Sequence, residues 1–508
     1  MPAKIFSAAT IGLNSEFVEV EVDAFNAGMH HFTVVGLPDT TIKESRDRVS
    51  SALKNSGFLP PHRFGRITVN LAPADLPKNS ALYDVPMALG LLLATEQISF
   101  DIEKKLFIGE LSLDGKVRPV TGVLPIALLA QHAGFEEIFI PEKNAAEAAL
   151  VRGLHIFPIR TLAETVAHLA GTQNISSVPE TEMNSFLEEE QRILDMKDVR
   201  GQEHAKRALE IAAAGGHNIL MNGPPGSGKT VLAKTLPSIL PRLNFEESIE
   251  ITKIFSVAGH LTRSNTLITA RPFRSPHHSA SAVSLVGGGA FPRPGEISLA
   301  HRGVLFLDEF GEFSKNVLEN LRQPLEDGHI TVSRAKGSLH FPARFILVAA
   351  MNPCPCGNAS DPERICSCST REVLRYKHKI SGPILDRIDL HIEVPRVPFE
   401  KLEAPENAET SRIIRERVEA ARSIQRARFA HHNIFTNAEM NSSLIREFCP
   451  LDEASKALLH QAVSTLHLSA RAYYRLIKLA RTIADIENSE SILPSHLAEA
   501  IQYRFKAE

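Results

Sequence analysis

One run, GPPGSGKT from Gly223 to Thr230, restricts what this chain can fold into more than any other. It lies between HNILMN, short and apolar enough for a buried strand, and VLAKTLPSIL, which can start a helix. Gly223, Gly226 and Gly228 are expected to let the turn take positive φ and approach a phosphate closely, so that backbone N–H groups and the helix N-terminus face the anion. Pro224, Pro225 and Ser227 complete the cradle. Lys229 is placed to reach the β- and γ-phosphates and Thr230 offers a hydroxyl to Mg²⁺, so ATP and Mg²⁺ are the expected cofactors. A chance surface turn is the rival reading; the match at every position, with both flanking elements present, weighs against it.

Two further apolar runs supply groups that such a site needs. GVLFLDEF, from Gly303 to Phe310, delivers two acids at a strand end. Asp308 is suited to hold Mg²⁺ through its waters, and Glu309 to orient and deprotonate the attacking water. Adjacent acids on a buried strand call for a compensating cation, whereas an exposed loop pair would not. RFILVAA, from Arg344 to Ala350, leads to Met351 and Asn352. Ligands gather at the carboxyl ends of parallel strands, which sets Asn352 beside the γ-phosphate as a water-positioning amide; a helix-capping asparagine is the other reading. Just beyond it, Cys354, Cys356, Cys366 and Cys368 form CPC-x9-CSC, which can give a tetrahedral zinc site or remain free thiols on a loop. Cys449 stands alone and reads as a buried apolar residue.

A chain of 508 residues is expected to form about three domains. Its net charge of -3 does not announce a nucleic-acid partner, so any such binding must rest on a local patch or on a pore shared by subunits. The longest clean apolar run, Val85 to Ala94, is about half a membrane span, and the N-terminus lacks a signal-peptide apolar region. A cytoplasmic protein with no membrane partner is therefore expected.

Residues 1–172 read as an α+β layer, with strands at Phe17 to Val22, Phe32 to Val35, Arg66 to Leu71, Leu106 to Leu111 and Glu137 to Ile140, and helices at Thr40 to Asn55 and Ala81 to Ala94. The stretches KNSALYDVPMALGLLLA and IGELSLDGKVRPVTGVLPIALLAQHAGFEEIFIPEKN resemble the proteolytic domain of the Lon family, a fold shared with Mg-chelatase-like proteins. The segment resembling the one that holds the Lon lysine is Gly122 to Ala130, which has no lysine, and Ser80 has no evident base. A non-proteolytic scaffold is expected, with Lys78 and Asn79 as either DNA contacts or a solvated loop. Residues 173–194 read as an acidic tether, 195–400 as the ATPase core, and 401–508 as a helical lid. The arginine-rich helix from Ser411 to Phe429 reads as a solvated or internally paired face rather than a DNA contact.

PFRSPHHSASAVSLVGGGAFPRPGEISLAHRGVLFLDEF, AAMNPCPCG and SGPILDRIDLHIEV resemble the Mg-chelatase-like, MCM-like branch of the AAA+ ATPases, and within it the ComM (YifB) family of natural transformation. The resemblance implies an α/β AAA+ core behind a Lon-like domain, in a homo-hexameric DNA helicase that drives branch migration on single-stranded or branched DNA, with other recombination proteins as partners. It makes Arg387 the finger offered to a neighbour's ATP, the alternative being a pair with Asp386 or Asp389. Ser469, Ala470 and Arg471 resemble the sensor-2 motif, so Arg471 is a second cation for the nucleotide. The hairpin His329 to Phe341 resembles the pre-sensor hairpin lining the channel, with Arg334 and Lys336 as DNA contacts, and Val286 to Glu296 resembles the helix-2 insert. The runners-up are a chaperone-type remodeller of a protein or metal-chelatase complex and an ATP-fed peptidase.

Overall fold

Alternation in FVEVEV becomes the strand Asn14–Phe25, whose Val18, Val20 and Val22 are fully buried while the intervening glutamates are not. It pairs with Arg66–Ala72 on one side and Ala3–Ile11 on the other, both antiparallel. The sheet runs His31–Val35, Arg66–Ala72, Asn14–Phe25, Ala3–Ile11, Lys105–Phe107, Glu137–Pro141 and His155–Ile159, and from Ala3–Ile11 onward each neighbour is parallel. The helix Asp84–Ala94 lies on it so closely that a Cβ on Gly90 would stand 2.6 Å from Val22. The expected strand from Leu106 to Leu111 breaks into Lys105–Phe107 and Glu110–Leu111 around Gly109, whose φ is +156°. The computed structural model describes residues 2–25, 29–35, 40–74, 76, 81–179, 194–262, 266–289, 292–334, 337–359, 361, 364–397 and 408–504.

Val123–His132 is a helix with Val123, Leu124, Ile126, Ala127 and Ala130 buried, and His132 is its one titratable side chain. Lys78, Asn79 and Ser80 lie outside the described residues. Glu147 is buried below the start of this helix. It accepts the Leu124 N–H at 2.8 Å and the hydroxyl of Ser256, which stands on the helix Phe245–Ala258 of the ATPase core. The Gly122 N–H donates to the Ser256 carbonyl at 3.2 Å across the same seam. Burial raises the Glu147 pKa, against the pull of these donors.

The segment expected to be a tether from 173 begins instead as part of this layer. Ile175 is buried in its core, and the Val178 N–H donates to Ile156 at 2.9 Å. Two apolar residues in an otherwise polar stretch are enough to bring it down onto the sheet; residues 180–193 lie outside the described residues.

The second sheet is parallel throughout and has the order Phe273–Arg274, Val304–Leu307, Ile346–Met351, Ile219–Asn222, Leu390–Glu393. The lid helices Ser411–Arg428, Glu453–Leu466, Ala470–Ile486 and Pro494–Gln502 pack against this core. The arginines of Ser411–Arg428 are largely occupied: Arg415 donates to the Ser238 carbonyl, Arg422 to the Ala213 carbonyl, Arg417 pairs with Glu210 and Glu409, and Arg428 with Asp485. Among the described residues no helix is long and apolar enough to cross a membrane.

The docking of residues 173–179 can be checked directly. Ile175→Asp buries a charge and should destabilise the N-terminal layer by about 3 kcal/mol, whereas the exposed Ser177→Asp should change little. Equal urea midpoints for the two variants would show that the segment is not docked.

Candidate nucleotide site

The strand Ile219–Asn222 ends where the phosphate loop begins, and the helix Lys229–Ile239 starts at the loop's last glycine. Gly226 at φ +78° and Gly228 at +92° take the left-handed region that the turn requires. Gly223 does not, which corrects the expectation of positive φ there. A Cβ on it would stand 2.1 Å from the Val394 carbonyl oxygen, so close backbone approach, not dihedral freedom, selects glycine.

Lys229 is buried and its ammonium donates to the carbonyls of Gly223 at 2.6 Å and Pro224 at 2.9 Å, with Asn352 Oδ1 at 3.4 Å. Burial lowers its pKa and the charge of Asp308 pulls it back up. Thr230 Oγ1 donates to Asp308 Oδ2 at 2.9 Å, so the two groups expected at Mg²⁺ touch, and both are oxygen donors suited to that hard cation. The other Asp308 oxygen accepts the Glu309 N–H at 2.9 Å. Glu309 sits at φ +51°, ψ +45°, a conformation that costs a non-glycine residue on the order of 1 kcal/mol. Its carboxylate remains exposed and lies 2.9 Å from His278 Nδ1. The site thus holds an ammonium, two carboxylates and an amide, an arrangement able to grip a triphosphate–metal complex and to orient a water at its end.

Three partners of this machinery escaped the sequence reading. The adjacent pair His277 and His278 in a polar loop was the signal for the Glu309 contact. Tyr376, on the helix Thr370–Lys377, is buried beside Gly311, and its hydroxyl interacts with the Asn352 backbone amide. Burial pushes that hydroxyl up to about 12. Glu326 gave no signal at all.

Arg387 and Arg471 are not near this chain's own phosphate loop. Arg387 precedes the amino end of Leu390–Glu393, whereas the loop leaves the carboxyl end of the adjacent strand, roughly 13 Å of strand away. Arg387 is 2% exposed and donates to Glu326 and, at 2.6 Å, to the Pro383 carbonyl. Its partner is therefore Glu326, not Asp386 or Asp389. Arg471 approaches the same Glu326 at 3.5 Å, so it shares the Arg387 end of the sheet. Glu326 is held in its ionised form by the two guanidiniums, which outweigh its partial burial. Of the expected DNA contacts, Arg334 forms the last rung of the hairpin His329–Arg334 and Gly337–Pro342, opposite Gly337; Lys336 lies outside the described residues.

The four clustered cysteines converge. Sγ of Cys354 lies 3.3 Å from that of Cys356 and 3.7 Å from that of Cys366, Cys356 and Cys366 are 3.6 Å apart, and all four sulfurs fall within 4.8 Å of one another. Backbone N–H groups and the neighbouring thiols lower the Cys356 pKa to about 5. Cys449 is buried, and its thiol is pushed up to about 12 by desolvation.

The expected roles of Lys229 and Glu309 can be told apart by substitution. Lys229→Ala should weaken ATP binding, since it removes the cation placed to reach the phosphates. Glu309→Gln should keep binding while turnover falls about a hundredfold or more, because an amide cannot take the water's proton. Titration with a fluorescent ATP analogue beside phosphate release distinguishes the two, and normal hydrolysis by Glu309→Gln would remove that residue from the assignment.

Residues 195–402 match the family described as Magnesium chelatase, subunit ChlI, residues 18–144 match Subunit ChlI of Mg-chelatase, and residues 408–504 match Magnesium chelatase, subunit ChlI C-terminal. Over 506 residues the chain is 46% identical to Competence protein ComM of Haemophilus influenzae, covering 99% of this chain and 97% of that one. It is 43% identical over 504 residues to the protein YifB of Escherichia coli, covering 98% and 96%. Lon protease 2 of Bacillus subtilis is 28% identical over 155 residues, 29% of this chain and 28% of that protein. With its phosphate loop, paired acids and near end-to-end identity, this chain belongs to the ComM/YifB family of Mg-chelatase-type AAA+ ATPases.

Proposed function

We propose that the chain is an ATP-driven DNA motor that works as a homo-hexamer in the cytoplasm and drives branch migration of recombination intermediates during natural transformation. The observation that carries this reading is the split of the site: Lys229, Asp308, Glu309 and Asn352 stand at one end of the sheet, and Arg387 and Arg471 at the other. Charge that develops on a transferred phosphoryl group calls for a positioned cation. A second copy docked head to tail brings Arg387 and Arg471 to that charge, and repetition of the contact closes a ring. ATP and Mg²⁺ are its cofactors, with Thr230 and Asp308 as the groups that hold the ion, and the four clustered cysteines form a zinc site.

DNA is the substrate on this reading because the antiparallel hairpin ending at Arg334 and Gly337 would repeat around a ring, concentrating Arg334 and Lys336 in one channel of an otherwise slightly acidic protein. The near full-length likeness to a competence protein supports placing that motor in transformation. A peptidase finds no lysine on Val123–His132. The N-terminal layer is accordingly read as a non-proteolytic scaffold.

The decisive assay uses purified protein, ATP and four-way or forked DNA: branch migration dependent on hydrolysis supports the motor, and ATPase activity indifferent to DNA but stimulated by a protein partner supports a remodeller instead. Mixing supplies the test of the ring. Arg387→Ala and Glu309→Gln chains should each be inactive, and their mixture should recover part of the ATPase activity, since some junctions pair an intact Glu309 with an intact Arg387. No recovery in demonstrably mixed rings would place the cation elsewhere.

A further inference from the structure

The loop that carries the four cysteines is joined at both ends to the nucleotide site. At its first end, Asn352 leaves the strand Ile346–Met351 and Cys354 follows almost at once, fully buried. The Gly357 N–H donates to the Cys354 carbonyl at 3.0 Å, closing a turn in which Gly357 takes φ +82°. That turn sits on the phosphate loop: a Cβ on Gly357 would stand 2.5 Å from Cδ of Pro225 and 3.9 Å from Cγ of Asn352. At its second end, Cys368 is followed by Ser369, which caps the helix Thr370–Lys377 by accepting the Glu372 N–H at 3.3 Å. Tyr376 on that helix interacts with the Asn352 amide and packs 3.1 Å from where a Cβ on Gly311 would be, two residues beyond Glu309.

The sulfurs are therefore the point at which these two arms meet. Four thiolates about 2.3 Å from one zinc lie about 3.8 Å from each other, and the sulfur–sulfur separations of 3.3, 3.6 and 3.7 Å in this cluster are close to that value. Cys368 is tied to the cluster by the Cys356 N–H, which donates to its sulfur at 3.4 Å. Hydrogen bonds between thiols are weak, so a bound metal would supply most of the force that keeps the two arms together.

We infer that zinc held by Cys354, Cys356, Cys366 and Cys368 fixes the position of Asn352 against Lys229 and the phosphate loop, so that the metal controls the hydrolytic step of a site to which it contributes no ligand. This rests on the readings of the cluster as a zinc site and of Asn352 as the amide that aligns the attacking water. The cysteines are positioning residues: they act on the water through Asn352, Pro225 and Tyr376. Metal loss would let the turn lift from Pro225 and leave Asn352 free to rotate, which affects alignment of the water more than attachment of the phosphates. Displacement of an aligned group by about 1 Å is enough to cost on the order of a hundredfold in rate.

Full-length protein purified without chelator should contain about one zinc per chain by elemental analysis. Cys366→Ser should lose the metal and lower kcat about ten- to a hundredfold while ATP affinity, read with a fluorescent analogue, stays within about twofold. Gly357→Ala should retain the zinc yet show the same loss of kcat, because its methyl group pushes the turn off Pro225. Far-UV circular dichroism and unchanged ATP binding distinguish this from failure to fold. Wild-type protein without metal overturns the zinc reading. An Asn352→Ala chain with normal turnover overturns the role given to Asn352. An inactive Asn352→Ala chain alongside zinc-free Cys366→Ser with wild-type kcat overturns the coupling itself.

Discussion

Parallel hydrogen bonding on both sides of Ile219–Asn222 sets the level at which every functional loop leaves the sheet. Asn222 is opposite Met351 on one side and Glu393 on the other, so the phosphate loop, Asn352 and Val394 depart together. Leu307 is opposite Ala349, which brings Asp308 out two residues earlier than Asn352 and within reach of Thr230 on the phosphate-loop helix. Slip by one residue would turn each of these side chains to the other face. The strands resist slipping because Ile219, Leu305, Val348 and Leu390 are all buried. Contact of Gly223 with the Val394 carbonyl follows from the same flush ends.

The opposite end of the sheet has the complementary chemistry. Glu326 gathers Arg387 and Arg471, and the Arg475 guanidinium donates to the Arg387 carbonyl at 2.9 Å. Arg387 Nε has no hydrogen-bond partner among the described residues although it is buried. Breaking the Arg387–Glu326 pair would leave a charge to be compensated, so Arg387 exchanges partners only where another anion is offered. One end of the sheet thus presents the carboxylates of Asp308 and Glu309 beside the phosphate loop, and the other gathers Arg387 and Arg471 on Glu326 and Arg475 on Asp389.

Local chemistry made much of this legible in the chain itself. The phosphate loop, the strand ending at Asp308 and Glu309, and the strand ending at Asn352 are short apolar runs with their functional residues at the exit, and buried parallel strands leave that signature. The helix Ala470–Ile486 follows Ser469, which accepts the Ala472 N–H at 3.2 Å, so its start was written in its capping residue. What stayed hidden depended on contacts between distant segments. The strand Ala3–Ile11 has a weak alternation and is defined by its partners. Phe273–Arg274 is two residues long. Glu326 meets Arg387 across sixty-one positions, and nothing near either residue points to the other. Gly223 was read for its dihedral freedom when its selection comes from a strand far along the chain.

The buried Glu147 seam has a mechanical consequence. Its carboxylate holds the start of Val123–His132 in the N-terminal layer and the Ser256 hydroxyl on Phe245–Ala258, and the Gly122–Ser256 backbone bond doubles the join. Phe245–Ala258 is the next helix after Lys229–Ile239, separated from it by a turn ending in the Asn244 cap. Parting the two layers would strand a carboxyl group away from its donors, a cost that a polypeptide hinge does not carry. The N-terminal layer is thus bolted to the helix that follows the phosphate-loop helix in the chain, and a displacement of Phe245–Ala258 would reach that layer through a buried joint and not through a loose tether.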